Sequence, residues 1–239
     1  METIYTDILW AKANNKKLLA VLLDPDKVTV TTLVITIEKI NQSPATHILV
    51  GGSSFEGTNL EDIIVLIKKN TALPVILFPG SPYQLSAKAD GVFFLMLLSG
   101  RNPDYLIDFQ VKSVPFLEKT ALEVMSTGYI LIASGNETAV QRVSQTQPID
   151  RDDIKLVCHT AKAGEYLGNK LIYLEAGSGA QYSVPLEMIQ QVAQTTSLPL
   201  VVGGGIRSQK EIEQAYASGA TMVVIGTAFE NNSNFFQND

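Results

Sequence analysis

Leu171-Ile172-Tyr173-Leu174-Glu175-Ala176-Gly177-Ser178-Gly179 decides the fold of this chain. A continuous apolar run, Leu171 to Leu174, ends in a carboxylate and a small, amide-rich turn, the pattern of a strand covered on both faces that delivers a polar group at its C-terminal end. Leu200-Val201-Val202 gives way in the same manner to Gly203-Gly204-Gly205-Ile206-Arg207, and Met222-Val223-Val224-Ile225 to Gly226-Thr227. Three successive strands therefore finish in residues whose backbone N–H groups can approach an anion closely, which predicts a bound phosphate.

Working outward, the same kind of run recurs at Leu18–Leu23, Ile48–Val50, Val75–Phe78, Val92–Leu98 and Tyr129–Ile132, eight in all with the three above. Segments of helical spacing lie between most of them. Glu61–Asn70 puts Ile63, Ile64 and Ile67 on one stripe, Asp153–Leu167 is a second helix, and Val184–Thr195 is a third with Pro185 in its first turn. Ser208–Ser218 opens on a good N-cap. Eight strands alternating with helices predict a TIM (β/α)8 barrel, an α/β fold, over residues 1–239 as a single phosphate-binding domain. Its third βα unit is modified, because the dozen or so residues between Phe78 and Val92 include Gly80, Pro82 and Gly91 and leave room for one or two helical turns at most. Ser99–Gly128 and Ser134–Lys170 are longer than a helix and two loops require, so each is expected to add a strand, a second helix or a cover over the mouth.

The 239 residues are 46% hydrophobic and 18% charged, enough to bury a substantial core. A formal net charge of -6 and the absence of like-charge blocks argue against nucleic acid and against broad binding to anionic membranes. One cysteine, Cys158, excludes a disulfide framework within the chain and makes a reducing cytoplasm the expected location. The longest apolar run, Val92–Leu98, is far short of a membrane span.

In such a barrel the C-terminal strand ends meet at one mouth. There they gather Asp24 and Asp26, Gly51 to Ser54, Pro79 and Gly80, Ser99 to Asn102, Ser134 and Gly135, Tyr173 to Gly179, Gly203 to Arg207, and Gly226 and Thr227. The glycines before the eighth strand, with Gly226 and Thr227 after it, form the phosphate cup expected of the last two loops. Asp24, held in a rigid turn by Pro25, reads as a ligand for a hard cation or as an ordinary cap; Ser53 is a candidate second oxygen for Mg²⁺. Glu175 is the candidate general base, since burial and a nearby phosphate raise a carboxyl pKa. Tyr173 faces opposite to Leu174 and reads equally as a substrate contact or as lumen packing. His47 and His159 sit away from the mouth, Cys158 packs a helix, and Trp10 is expected to anchor an N-terminal helix against the barrel.

The chain resembles the geranylgeranylglyceryl phosphate synthases, whose bacterial relatives include the heptaprenylglyceryl phosphate synthases. The resemblance rests on Asp24-Pro25-Asp26-Lys27, Val50-Gly51-Gly52-Ser53-Ser54, Phe78-Pro79-Gly80, Ser99 with Asn102-Pro103, Thr127 to Ile132, Tyr173 to Gly179 and Gly203 to Arg207, in family order across nearly the whole chain. It implies a transferase that moves a prenyl group from an allylic diphosphate to the primary hydroxyl of sn-glycerol 1-phosphate, releases pyrophosphate and makes an ether lipid. It further implies that Asp24 and Ser53 hold Mg²⁺ as cofactor and that Glu175, with Asp24, is catalytic. Tyr173, Leu174, Glu175, Ala176, Gly177, Ser178, Gly179, Gly203, Gly204, Gly205, Gly226 and Thr227 would hold the glycerol phosphate. The segment Glu123–Ile132 resembles the larger archaeal and bacterial branch, which implies a geranylgeranyl rather than a heptaprenyl donor. A homo-oligomer making at most transient membrane contact is also implied. The tail needs an apolar groove, for which Val92–Leu98 beside the short third unit is the candidate.

Two other readings use the same residues: a sugar-phosphate isomerase or lyase, which shares the double phosphate loop, and a non-catalytic barrel that only binds a phosphorylated metabolite. Metal dependence separates the first from a prenyltransferase, and turnover of a prenyl donor separates the second.

Overall fold

All eight apolar runs are strands in the computed structural model, which describes residues 3–53, 57, 59–232, 235 and 236. Ser54, expected at the mouth, lies outside the described residues. The strands are β1 Leu18–Leu23, β2 His47–Val50, β3 Val75–Leu77, β4 Gly91–Leu97, β5 Glu123–Leu131, β6 Leu171–Glu175, β7 Leu200–Gly203 and β8 Met222–Ile225. They pair in parallel in chain order, and β1 also pairs with β8, so the sheet closes into a barrel.

Alternation along the strands separates two cores. Val21, Ile48, Val75, Val92, Ile130, Leu174 and Val202 face outward to pack with Ile37, Ile64, Val157, Ile189 and Ile212 of the surrounding helices. Ala20, Leu49, Ile76, Phe93, Met125, Tyr173, Val201 and Met222 fill the lumen. The helix α1 (Ile4–Ala13) closes the lower end, with Ile8 fully buried in the lumen cluster. Its first turn is pinned where the Glu123 carboxylate accepts the N–H groups of Ile4 at 2.7 Å and Tyr5 at 3.0 Å. Trp10 on that helix is 57% exposed, which corrects its expected anchoring role. Ile8 and Ala11 on the opposite face do the packing.

Outside the sheet run α2 (Val30–Asn41), α3 (Leu60–Asn70), α4 (Phe109–Leu117), α5 (Ala139–Ser144), α6 (Ile154–Tyr166), α7 (Leu186–Thr195), α8 (Gln209–Ala217) and α9 (Thr227–Asn231). Ser208 caps α8 as expected, accepting the Glu211 N–H at 3.2 Å, whereas Pro185 is the N-cap of α7 and not its first residue. Residues 78–90 hold no helix at all, so the third unit is reduced further than its one or two expected turns. Of the two long stretches, 99–128 supplies a π-helical turn (Asp104–Asp108) leading into α4, and 134–170 supplies the pair α5 and α6.

β5 starts six residues before its apolar run. Gly128 has weak strand preference, and Ser126 and Thr127 break the apolar run, but a seven-residue register with β4, from Gly91↔Glu123 to Leu97↔Tyr129, carries the strand through them. At Gly128 a Cβ would lie 2.7 Å from Leu98 Cδ1 and 2.9 Å from Asn169 Oδ1, so the ends of those side chains pack directly over the glycine.

Candidate active site

The C-terminal strand ends enclose a cavity of about 510 Å³. Asp24, Asp26 and Lys27 line it from the β1 loop, Gly51 to Ser53 from the β2 loop, Tyr173, Glu175 and Gly177 to Ala180 from β6 and its loop, Gly204 to Arg207 from the β7 loop, and Gly226 to Ala228 from the β8 loop. Residues up to about two hundred positions apart thus share one chamber, as the barrel architecture requires.

Glu175 ends β6 with its side chain inside the wall, 5% exposed. Its Oε1 accepts the Gly177 N–H at 2.6 Å, which fixes the carboxylate plane. Burial pushes its pKa up to about 7, with the Gly177 N–H and the Tyr173 hydroxyl pulling the other way. Tyr173 lies beside it: Gly203 has both the Tyr173 hydroxyl and Glu175 Oε2 against its Cα, a Cβ there falling 2.3 and 3.2 Å from them. The buried Tyr173 hydroxyl has the Glu175 carboxylate as its nearest acceptor, in an alignment short of a well-formed hydrogen bond but close enough to favour the ionised carboxylate. Phe78, Tyr129 and Tyr173 stack at 5.2 to 6.0 Å between ring centroids and floor the chamber.

Gly204 shows why glycine is required in the cup. Its φ is +81°, and a Cβ would fall 2.2 Å from Glu175 Oε1 and 2.5 Å from the Gly177 N. The backbone of the β7 loop thus presses directly against the catalytic candidate and its orienting amide. The N–H groups of Gly204, Gly205, Thr227 and Ala228 donate to no group among the described residues, which leaves them to an anion. Ser178 and Thr227 meet across the cup, hydroxyl to hydroxyl, at 3.4 Å. Arg207 is occupied differently: its guanidinium donates to the Ala180 carbonyl at 2.6 Å and the Gln181 carbonyl at 3.0 Å, and so clamps the β6 loop to the β7 loop.

Three of the expected contact residues do not line the cavity. Leu174 and Ala176 turn outward into the helix-facing core, and neither they nor Gly203 line the cavity. The Ala176 N–H is also spent on the Gly203 carbonyl at 3.0 Å. Of the motif residues, Ser99 and Asn102 act structurally. The Ser99 hydroxyl accepts the Leu131 N–H at 2.9 Å, and Asn102 donates to the Ser144 carbonyl at 2.8 Å. His47 begins β2 and is buried, burial lowering its pKa to about 4, while His159 is exposed on α6; both stand apart from the chamber.

On the β1 side, Asp24 Oδ1 accepts the Asp26 N–H at 3.1 Å and Oδ2 lies 3.3 Å from Lys27 Nζ. No cluster of three or more His, Cys, Asp or Glu side chains suited to a metal occurs among the described residues. One carboxylate and the Ser53 hydroxyl on the wall of a shared chamber fit a magnesium ion that arrives with phosphate ligands, since Mg²⁺ keeps most of its sphere for water and substrate oxygens. The lining charges agree: Asp24, Asp26, Glu175 and Glu230 oppose Lys27 and Arg207, so an anionic ligand needs to bring a counter-charge.

At Gly52, Ser53, Phe78, Tyr129 and Val140 this chamber adjoins a second, apolar one. Its walls are Pro79 to Pro82 and Leu85 from the helix-free third unit, Val92, Phe94, Leu95 and Leu97 of β4, and Tyr105, Phe109, Gln110 and Ser113 from the π-helical turn and α4. The strand Val92–Leu98 was expected here. The helical wall was not legible, because local spacing around Phe109 and Ser113 does not say what a helix there would face.

The profile of the PcrB family matches residues 11–238. The geranylgeranylglyceryl phosphate synthase of Flavobacterium johnsoniae is 60% identical over 99% of this chain and 97% of its own length. That of Zunongwangia profunda is 49% identical over 97% of this chain and 98% of its own length. The crystal structure of (S)-3-O-geranylgeranylglyceryl phosphate synthase from Thermoplasma acidophilum with sn-glycerol-1-phosphate superposes with a TM-score of 0.93, at 34% identity, covering 99% of this chain and 95% of that one. Barrel, site and sequence together place the chain in the PcrB family.

Proposed function

We propose that the chain is a prenyltransferase that joins a geranylgeranyl group to the primary hydroxyl of sn-glycerol 1-phosphate and releases pyrophosphate. The observation that carries this reading is the two-part chamber, a polar cup with a buried carboxylate that opens sideways into an apolar groove. One substrate of the named relatives is small and phosphorylated, the other a lipid with a charged head, and the chamber has a compartment for each.

In this reading the phosphate of the acceptor sits on the N–H groups of Gly204, Gly205, Thr227 and Ala228. The acceptor hydroxyl then faces Glu175. With a pKa of about 7, that carboxylate is substantially ionised at neutral pH yet basic enough to take the hydroxyl proton as the new C–O bond forms and the bond to the diphosphate breaks. Gly177 holds it in orientation. Phe78, Tyr129 and Tyr173 exclude water from the reacting carbon and present ring faces to its developing positive charge. Asp24 and Ser53 would hold Mg²⁺, which would supply charge neutralisation for a departing diphosphate. A homo-oligomer in the cytoplasm, touching membrane only to exchange lipid, belongs to the same reading; among the described residues no helix is long and apolar enough to cross a membrane.

The test incubates the protein with Mg²⁺, sn-glycerol 1-phosphate and radiolabelled prenyl diphosphates of graded length, beside the sn-glycerol 3-phosphate enantiomer and an EDTA control. An ether lipid formed from the first enantiomer only, in the presence of metal and best with the geranylgeranyl donor, is expected. Preference for the heptaprenyl donor would overturn the donor assignment, and no product with any donor would overturn the reaction.

A further inference from the structure

Two cationic side chains line the polar chamber among the described residues, and they are in different states. Arg207 spends its guanidinium on two backbone carbonyls that hold the β6 loop in place. Lys27 makes no such commitment. Its ammonium is suspended between two carboxylates, 3.3 Å from Asp24 Oδ2 on the β1 loop and 3.2 Å from Glu230 Oε2 on α9, the helix whose first N–H groups belong to the phosphate cup. Its side chain is half exposed to the cavity solvent, so exchanging one carboxylate for a ligand oxygen requires a rotamer change and no unfolding.

Geometry favours that exchange. Asp24 is the residue at which a magnesium ion fits, and an ion on its carboxylate repels the ammonium from Oδ2. Glu230, on α9, keeps the lysine from swinging out to solvent once Asp24 is taken. An anion with several charged oxygens between the two loops then becomes the natural second partner of Nζ, with three donors against one remaining carboxylate. Resting on the reading above, we propose that Lys27 binds the diphosphate of the prenyl donor directly, and that Glu230 is a positioning residue that holds it for that purpose. The C-terminal helix thereby belongs to the donor site as well as to the phosphate cup. Lys27 and Glu230 stand 203 positions apart, and nothing in their spacing marks them as a pair.

The experiment is calorimetric titration with inorganic pyrophosphate plus Mg²⁺, run on the whole protein and repeated with sn-glycerol 1-phosphate as an internal control. Lys27→Met is expected to weaken pyrophosphate by ~10-fold or more, the loss of one charge-assisted contact, while glycerol phosphate affinity stays within ~2-fold. Lys27→Arg should recover most of the loss, and Glu230→Gln should show a smaller one of ~3-fold. The double variant Lys27→Met/Glu230→Gln decides between contact and mere neutralisation. If Lys27 only cancels the charge of Glu230, the double variant regains pyrophosphate affinity; if Lys27 touches the diphosphate, it stays as weak as Lys27→Met. Unchanged pyrophosphate binding in Lys27→Met, recovery in the double variant, or failure of the parent protein to bind pyrophosphate each overturns the proposal. Circular dichroism melts of each variant separate these outcomes from misfolding, with Lys27→Arg and Glu230→Gln as the milder changes. A parent that binds pyrophosphate and shows the expected variant pattern, yet makes no prenyl ether, sinks the reaction while leaving the anion contact standing. A parent that makes the ether, with Lys27→Met unaltered in donor KM, does the reverse.

Discussion

The two sides of the barrel mouth are built on opposite plans. Around β6, β7 and β8 the backbone is locked: Gly177 and Gly204 hold positive φ, Arg207 ties one loop to the next, and Ser178 reaches Thr227. Around β3 and β4 a helix is missing altogether, and the space it would fill is walled by Pro82, Leu85, Leu95, Phe109 and Ser113. The first plan suits a ligand recognised by the direction of its hydrogen bonds, where small displacements are severe. The second suits one recognised by shape and apolar area, where energy accumulates contact by contact. A single barrel accommodates both because its strands set a rigid frame and leave the loops independent.

The sharpest way to break this contrast is at Glu175. Glu175→Gln should lower kcat by ~10² to 10⁴-fold, the range for removing a general base, in single-turnover assays with saturating acceptor. In the parent protein kcat/KM should rise with pH through about 7 and level above it, following ionisation of that carboxyl. Stability should move the other way. The folded protein holds the Glu175 proton up to about 7, whereas the unfolded chain releases it near 4.5, so the folded state binds more protons between those values and loses stability as pH rises. Glu175→Gln should remove that slope and be more stable than the parent above pH 7 by about 3 kcal/mol, as read from denaturant melts at several pH values. An identical pH dependence of melting in both proteins would show that the carboxylate is better solvated than its burial indicates.

Next in size is Gly204→Ala. The added Cβ meets Glu175 Oε1 and the Gly177 N at a φ that disfavours any side chain, so the cup and the base should be displaced together. A fall of ~10²-fold in kcat/KM with weakened acceptor binding is expected. A change in donor KM alone would mean that the two compartments are not separate. Ser113→Phe tests the apolar side: filling the groove from α4 should raise donor KM by ~10-fold for the geranylgeranyl chain, less for shorter chains, and leave acceptor KM unaltered. Smallest is Trp10→Ala, which should change stability by no more than ~0.5 kcal/mol in a urea melt, because the ring is largely exposed below the barrel. A loss of several times that size would point to a partner surface on α1.

Much of the fold was legible. The run Met222–Ile225 is the eighth strand residue for residue, and Leu171–Leu174 is one residue short of the sixth. Such strands are buried on both faces and announce themselves as unbroken apolar runs. β5 was legible only in its last third, since its apolar run begins at Tyr129 and the six residues before it, Ser126 and Gly128 among them, become strand through the ladder with β4. In the site, Asp24, Ser53, Glu175, Gly177 and Gly204 stood out because strand ends and glycine turns are local signals. Leu174 and Ala176 lie off the cavity wall, since a motif names neighbours in sequence while the pleat sends alternate side chains to opposite faces.

The sequence by itself therefore determined the strand and helix alternation, the closed barrel it implies, and the turns where a backbone must tolerate positive φ or close approach to an anion. These depend on short-range periodicity and on the steric limits of single residues. Tertiary structure alone decided how large a gap the absent third helix leaves and which α4 side chains wall it. It also decided that Lys27 meets Glu230 and that Glu175 is buried enough to carry a pKa of about 7. Cavity shape, ion-pair choice and desolvation are sums over atoms brought together from distant segments, and no local stretch of chain contains them.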